Sequence, residues 1–242
     1  MLDIIFLLIV GAVAGFIGAA AGGGGGFVSF FSLILLGIPP HIAIATNKLG
    51  DVGLHPTSIY NFNKAKKIKK NIMIPLILLG IAGAIVGSNI LISIEQYIIK
   101  FVVIGLLTIV LITNLMKKNL GIKRRRKHFA WSPAYFLTGV YAGFFGSGSG
   151  IFSTMVLCGL RGLRFIEANA NSLVSGMFGS IASVIIFSVA GMINYTFGIP
   201  LFIGNFIGGY LGSKTVIKKG NVWVKTFYTI IIVVTIVKLL FM

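Results

Sequence analysis

Lys48, Asp51 and His55 stand three and four residues apart, so on a helix an ammonium, a carboxylate and an imidazole share one face. Asn47 precedes them and Ser58 follows one turn on. Ionisable groups inside an apolar stretch are costly and turn toward an interior or a wet cavity. Lys48 can pair with Asp51, face a bound anion, or reach out to a membrane interface. Asp51 and His55 can relay a proton, because imidazole titrates near neutral pH. A second chemistry lies in the glycines. Gly22, Gly23, Gly24, Gly25 and Gly26 form one run; Gly146, Ser147, Gly148, Ser149 and Gly150 form another. Each glycine disfavours helix by about 1 kcal/mol relative to alanine. A helix that starts after such a break presents bare N–H groups and the positive end of its dipole, which suits an anion or carboxylate. Ser29, Ser147 and Ser149 add hydroxyl donors.

The elements that carry these groups are apolar. The 242 residues are 57% hydrophobic and 10% charged, with a mean hydropathy of +1.01. A soluble domain carries roughly 25% charged residues, so this surface faces lipid. Apolar runs occupy 2–36, 41–62, 71–92, 97–116, 132–160, 165–190, 194–213 and 222–241. Most match the roughly 20 residues that cross a bilayer. Two are too long, and both hold a glycine run. Each reads as two helical pieces around a non-helical segment. The first run lacks the basic start of a cleaved signal peptide and is expected to remain. Scattered glycines such as Gly83, Gly87, Gly208 and Gly212 read as close helix packing, and Asn89, Asn114, Asn194 and Asn205 as interhelical hydrogen bonders. The single cysteine, Cys158, reads as a packing residue.

The chain repeats itself. Gly15-Phe16-Ile17-Gly18 before the first glycine run is answered by Gly143-Phe144-Phe145-Gly146 at the second. Ala43, Ala45, Asn47 and Leu49 are answered by Ala168, Ala170, Asn171 and Leu173, without a second cation to match Lys48. The expected division is a first transmembrane repeat over 1–116, a basic cytoplasmic linker over 117–131 and a second repeat over 132–242. Basic gaps alternate between the halves. Lys64, Lys66, Lys67, Lys69 and Lys70 face a partner gap without cations; Arg161 and Arg164, and Lys214, Lys218, Lys219 and Lys225, do the same. Cytoplasmic loops collect Lys and Arg, so the halves are expected upside down to one another. The expected fold is an all-α polytopic membrane protein of two inverted repeats, each opening with a glycine-broken, re-entrant helix, and with both termini outside the cytoplasm.

Net charge is +17. In a soluble domain that would suggest nucleic acid; here it reads as the positive-inside bias, and no nucleic-acid partner is expected. There is no HExxH and no Cys/His cluster, and Gly212-Ser213-Lys214-Thr215 lacks the spacing of a phosphate-binding loop. No enzyme, metal or cofactor is expected.

The glycine-broken first helix, Gly-Ile-Pro-Pro at Gly37 to Pro40, and Ala-Thr-Asn-Lys-Leu at Ala45 to Leu49, with a degenerate second copy, resemble the TauE/SafE sulfite exporter family of permeases. The resemblance spans nearly the whole chain. It implies a multi-pass secondary transporter of the cell membrane for a small sulfur-containing anion, such as sulfite or a sulfonate. By motif match it implies binding by both glycine runs, Thr46, Asn47, Lys48, Asn171 and Ser172. The residues alone reach an anion-friendly pair of broken helices and leave a passive channel or a carboxylate carrier open, as they do homo-oligomerisation.

Overall fold

The computed structural model describes residues 2–95, 98–99 and 130–219, and every element among them is helical. The apolar runs 97–116 and 222–241, nearly all of the linker, Asn114 and Lys225 lie outside the described residues. In the first half α1 is Leu2–Ala21, α2 Gly25–Leu35, α3 Pro40–Lys64 and α4 Met73–Ser93, the last led in by a 3-10 turn over Lys70–Ile72. In the second, α5 is Trp131–Phe144, α6 Ser149–Gly159, α7 Phe165–Val189 and α8 Tyr195–Lys219. α2 and α6 are both 11 residues, and α3 and α7 both 25. Local sequence sets the starts. Pro40 opens α3, where its missing N–H costs nothing. Glu167 accepts from the Arg164 N–H at 3.3 Å and closes the first turn of α7.

Three helical stretches, Leu2–Ala21, Lys70–Ser93 and Phe165–Val189, are long and apolar enough to cross a membrane. Ile5, Ile9 and Val13 on α1, Ile74 and Leu78 on α4, and Ile199, Ile203 and Ile207 on α8 are exposed. Such stripes suit hydrocarbon rather than water. The molecule is a multi-pass membrane protein.

Contacts between helices fix their directions. α1 and α8 run the same way, because Gly11 lies on Leu201 and Gly15 on Asn205. α3 is parallel to α8: Gly53 meets Phe202, and Asn61 Nδ2 donates to Tyr210 O at 3.0 Å. α4, α5 and α7 form a second parallel set. Gly83 meets Gly139, Gly87 meets Phe144, Ser175 donates to Leu76 O at 2.7 Å, and Ser88 bonds Ser183 at 2.9 Å. α3 and α7 are antiparallel. Lys69, just beyond α3, pairs with Glu167 at the start of α7 (3.0 Å), His55 lies on Gly176, and the Asn194 N–H beyond α7 donates to Thr46 at 3.0 Å. Corresponding helices of the two halves therefore run in opposite directions. The basic segments 64–70, 161–164 and 214–219 collect at one end, joined there by the Lys69–Glu167 pair and by Asn61 Nδ2 donating to Ser213 at 2.9 Å.

α1 and α3 are parallel although only α2 separates them, so α2 must return toward the end where α1 began. Gly25 lies against Ala14 and Gly18, and α2 folds back along α1. α6 does the same along α5: Ser153 donates to Thr138 at 3.0 Å, and Phe152 stacks edge-on against Tyr141. The glycines at these crossings leave room for backbone against backbone, as small residues do in membranes. Three of the asparagines differ from expectation. Asn194 Oδ1 accepts from the Phe197 N–H in the first turn of α8. Asn89 and Asn205 bond back to Ile85 O and Leu201 O of their own helices; Asn61 and Asn169 make interhelical bonds instead.

Candidate functional site

The breaks are shorter than the glycine runs. Gly22, Gly23 and Gly24 have φ of 76°, 124° and 91°, values costly for any residue with a Cβ, whereas Gly25 and Gly26 already belong to α2. In the second half the break is 145–148, with Gly146 at 78° and Gly148 at 80°; Ser149 and Gly150 open α6. This corrects the expectation of five non-helical residues in each half. Only positions needing positive φ leave the helix; the remaining glycines are small because of what they touch. A Cβ on Gly23 would lie 2.8 Å from Ile151 N, and one on Gly150 2.5 Å from Gly22 O, so the two breaks press backbone against backbone.

α3 threads past both breaks. Asn47 Nδ2 donates to Gly26 O at 3.2 Å and to Ser147 Oγ at 3.3 Å, one partner in each half. Lys48, only 3% exposed, donates from Nζ to Ala142 O at 2.7 Å and caps the last turn of α5. Lys48 forms no ion pair with Asp51 within 4 Å; the Ala142 carbonyl takes its Nζ instead. α7 answers from the other side. Asn169 Nδ2 donates to Ala19 O at 2.9 Å, capping the last turn of α1. Each broken hairpin thus has its first helix closed by a side chain from the third helix of the opposite half.

A cavity of about 90 Å³ lies between them. Its wall takes Gly22 to Gly26, Gly146, Gly148, Ser149 and Gly150 from the breaks, Lys48, Asp51 and His55 from α3, and Ser172 from α7. The first turns of α2 and α6 thus open on the same space, although the Phe27, Ser149 and Ile151 N–H groups there already donate to Gly24 O, Gly146 O and Gly148 O. His55 reaches the cavity because Gly176 has no side chain to block it. Four of the expected residues sit behind the wall. Thr46 accepts from Asn194, Asn47 and Ser147 bond one another, and Asn171 bonds Glu167 O and the Lys69 N–H. Sequence reasoning missed the hydroxyl side of the cavity: Tyr135, Thr138, Ser153, Ser180 and Ser183. One signal was present. Ser172 and Ser175, on the helix that answers α3 in the second half, put hydroxyls on the cavity wall without any cation to match Lys48. Among the described residues no cluster of His, Cys, Asp or Glu could hold a metal.

Two broken hairpins meeting on a cavity, inside a helical membrane protein, have the build of a membrane transport protein. Residues 7–239 match the family described as Sulfite exporter TauE/SafE, and the chain belongs to that family. It is similar to proteins named as probable membrane transporter proteins. One from Haemophilus influenzae is 29% identical, over 91% of this chain and 88% of that protein. One from a Sinorhizobium species, ORF9, is 25% identical over 97% and 91%. YfcA of Escherichia coli is 26% identical over 87% and 80%. No solved structure matches it significantly. The protein is a membrane transporter.

Proposed function

We propose that this transporter carries a small anion, sulfite or a related sulfonate or organosulfur anion, by alternating access. The anion binds where the N-termini of α2 and α6 open on the cavity beside Lys48. One observation carries the reading: two breaks, one from each half, meet at a cavity that also receives a buried ammonium. Helix N-termini favour negative charge, and a desolvated lysine adds a full positive charge. The anion follows from this geometry; the sulfur is suggested by the family name alone.

We also propose that the halves lie inverted in the bilayer, with the basic end in the cytoplasm. The opposed directions of α3 and α7 and the gathering of Lys64 to Lys70 with Arg161, Arg164 and Lys214 to Lys219 support this. Single cysteines placed in 64–70 and 214–219 are then labelled from the same side; labelling from opposite sides refutes it.

The deciding test is flux of sulfite, thiosulfate, a sulfonate and acetate into proteoliposomes. Saturable flux of a sulfur oxoanion, lowered at least about tenfold by Lys48→Met, is expected, since losing one partner of a buried charge contact costs about 2–5 kcal/mol. Flux of acetate alone makes the protein a carboxylate carrier. Flux that never saturates makes it a channel.

A further inference from the structure

The sequence halves are not the bodies that the packing defines. α8 belongs to the second half by sequence, yet it packs most extensively on α1 and α3. α4 belongs to the first half, yet it packs on α5 and α7. The fourth helices have changed places. One bundle is α1, α2, α3 and α8; the other is α4, α5, α6 and α7. Side-chain hydrogen bonds follow the same division. Thr57, Ser58 and Asn61 on α3 bond Phe206 O, Gly209 O and Tyr210 O on α8. Ser88 on α4 bonds Ser183 on α7, and Ser175 on α7 bonds Leu76 O on α4.

Side-chain hydrogen bonds that tie one bundle to the other include Asn47 to Ser147, Lys48 to Ala142 O and Asn169 to Ala19 O, which lie at the glycine breaks, and His55 on α3 to the Leu173 backbone on α7. Beside them Phe27 and Phe30 pack on Phe145, with ring centroids 6.1 and 5.2 Å apart. Among the described residues, the two chain crossings between bundles, at 65–72 and 190–194, are short connections outside the long helices.

We propose that the moving parts of transport are these swapped bundles, hinged at 65–72 and 190–194, and that Asn169 is a positioning residue that holds the joint together with Asn47 and Lys48. This rests on the transport reading above and states what moves. A carrier alternates by rocking rigid bodies around a fixed site. Rigid bodies are held by extensive contact, and here most of that contact lies within each swapped bundle, the chief exception being α3 against α7. A substrate bound at the breaks touches the very bonds that tie one bundle to the other, so occupancy and rocking are coupled at Lys48 and Asn169.

The test uses the full chain carrying Cys158→Ser. Oxidising an Asn61→Cys/Ser213→Cys pair links the sequence halves but stays within one bundle. Sulfite flux is expected to stay within about twofold of the reduced protein; abolished flux, restored by reduction, overturns the proposal. Spin labels give a readout independent of flux. Labels at 64 and 218, within one bundle, are expected to show one distance, and labels at 64 and 164, across bundles, two populations. Asn169→Ala is expected to shift the ratio of those two while the first distance stays fixed. Two populations between 64 and 218, or a single fixed distance in both pairs, overturns the proposal. Absence of sulfite flux in every variant, beside two populations across bundles, removes the substrate and leaves the moving bodies standing.

Discussion

Asn47 and Lys48 are neighbours with different work. Asn47 fastens Gly26 O to Ser147, and with it the two breaks to each other. Asn47→Ala removes that donor at a cost of about 1–3 kcal/mol, expected to lower the melting temperature by roughly 2–12 °C in a thermal-shift assay. Asp51 shares the cavity with Lys48. An anion about 6 Å from an ionised carboxylate meets a repulsion of about 3 kcal/mol at an effective dielectric of 20. Proton uptake at Asp51 relieves it, so an inward proton gradient is expected to accelerate anion entry. Asp51→Asn should abolish that acceleration while flux persists, measured as uptake with and without an imposed pH step. Lys48, Asp51 and His55 were legible in sequence because charge stands out in an apolar run. Asn47's partners were not, since Ser147 lies 100 residues away. The hydroxyl wall was invisible for a related reason: serines and threonines in helices commonly bond their own backbone, as Ser32 does to Val28 O.

The hairpins depend on glycine in two distinct ways, and substitution separates them. Gly25 has ordinary helical backbone, but a Cβ there would fall on Ala14 O. Gly25→Ala prevents α2 from folding back on α1 and is expected to abolish recovery of monodisperse protein in detergent. Gly37 has φ of 79°, and a Cβ there would meet nothing within 4 Å, so Gly37→Ala is expected to cost only about 1 kcal/mol, seen as a small fall in melting temperature. The glycine runs announced that a break existed and roughly where. They did not announce its length, because a run cannot distinguish a glycine chosen for φ from one chosen for contact.

At the scale of the whole molecule, the expected inversion of the halves rests on alternation of the basic gaps, since charge placement in loops is written in sequence. The exchange of fourth helices was not readable. Gly83 and Gly87 on α4, and Gly208 and Gly212 on α8, promise close approach to some partner without naming which. Their partners are α5 and α1 of the opposite half. Cutting the chain within 117–130 and expressing the two pieces together is therefore expected to restore a folded protein on gel filtration. Either piece alone should aggregate.

That exchange also orders events at the ribosome. α1 enters the bilayer well before α8, but the grooved surface that receives it is on α8, the last described helix to be made. Throughout synthesis of nearly 200 residues, Gly11 and Gly15 have only lipid, or an insertion chaperone, to lie against. The newborn chain must hold α1 in waiting, and a translational stall before α8 would leave it exposed to membrane quality-control proteases.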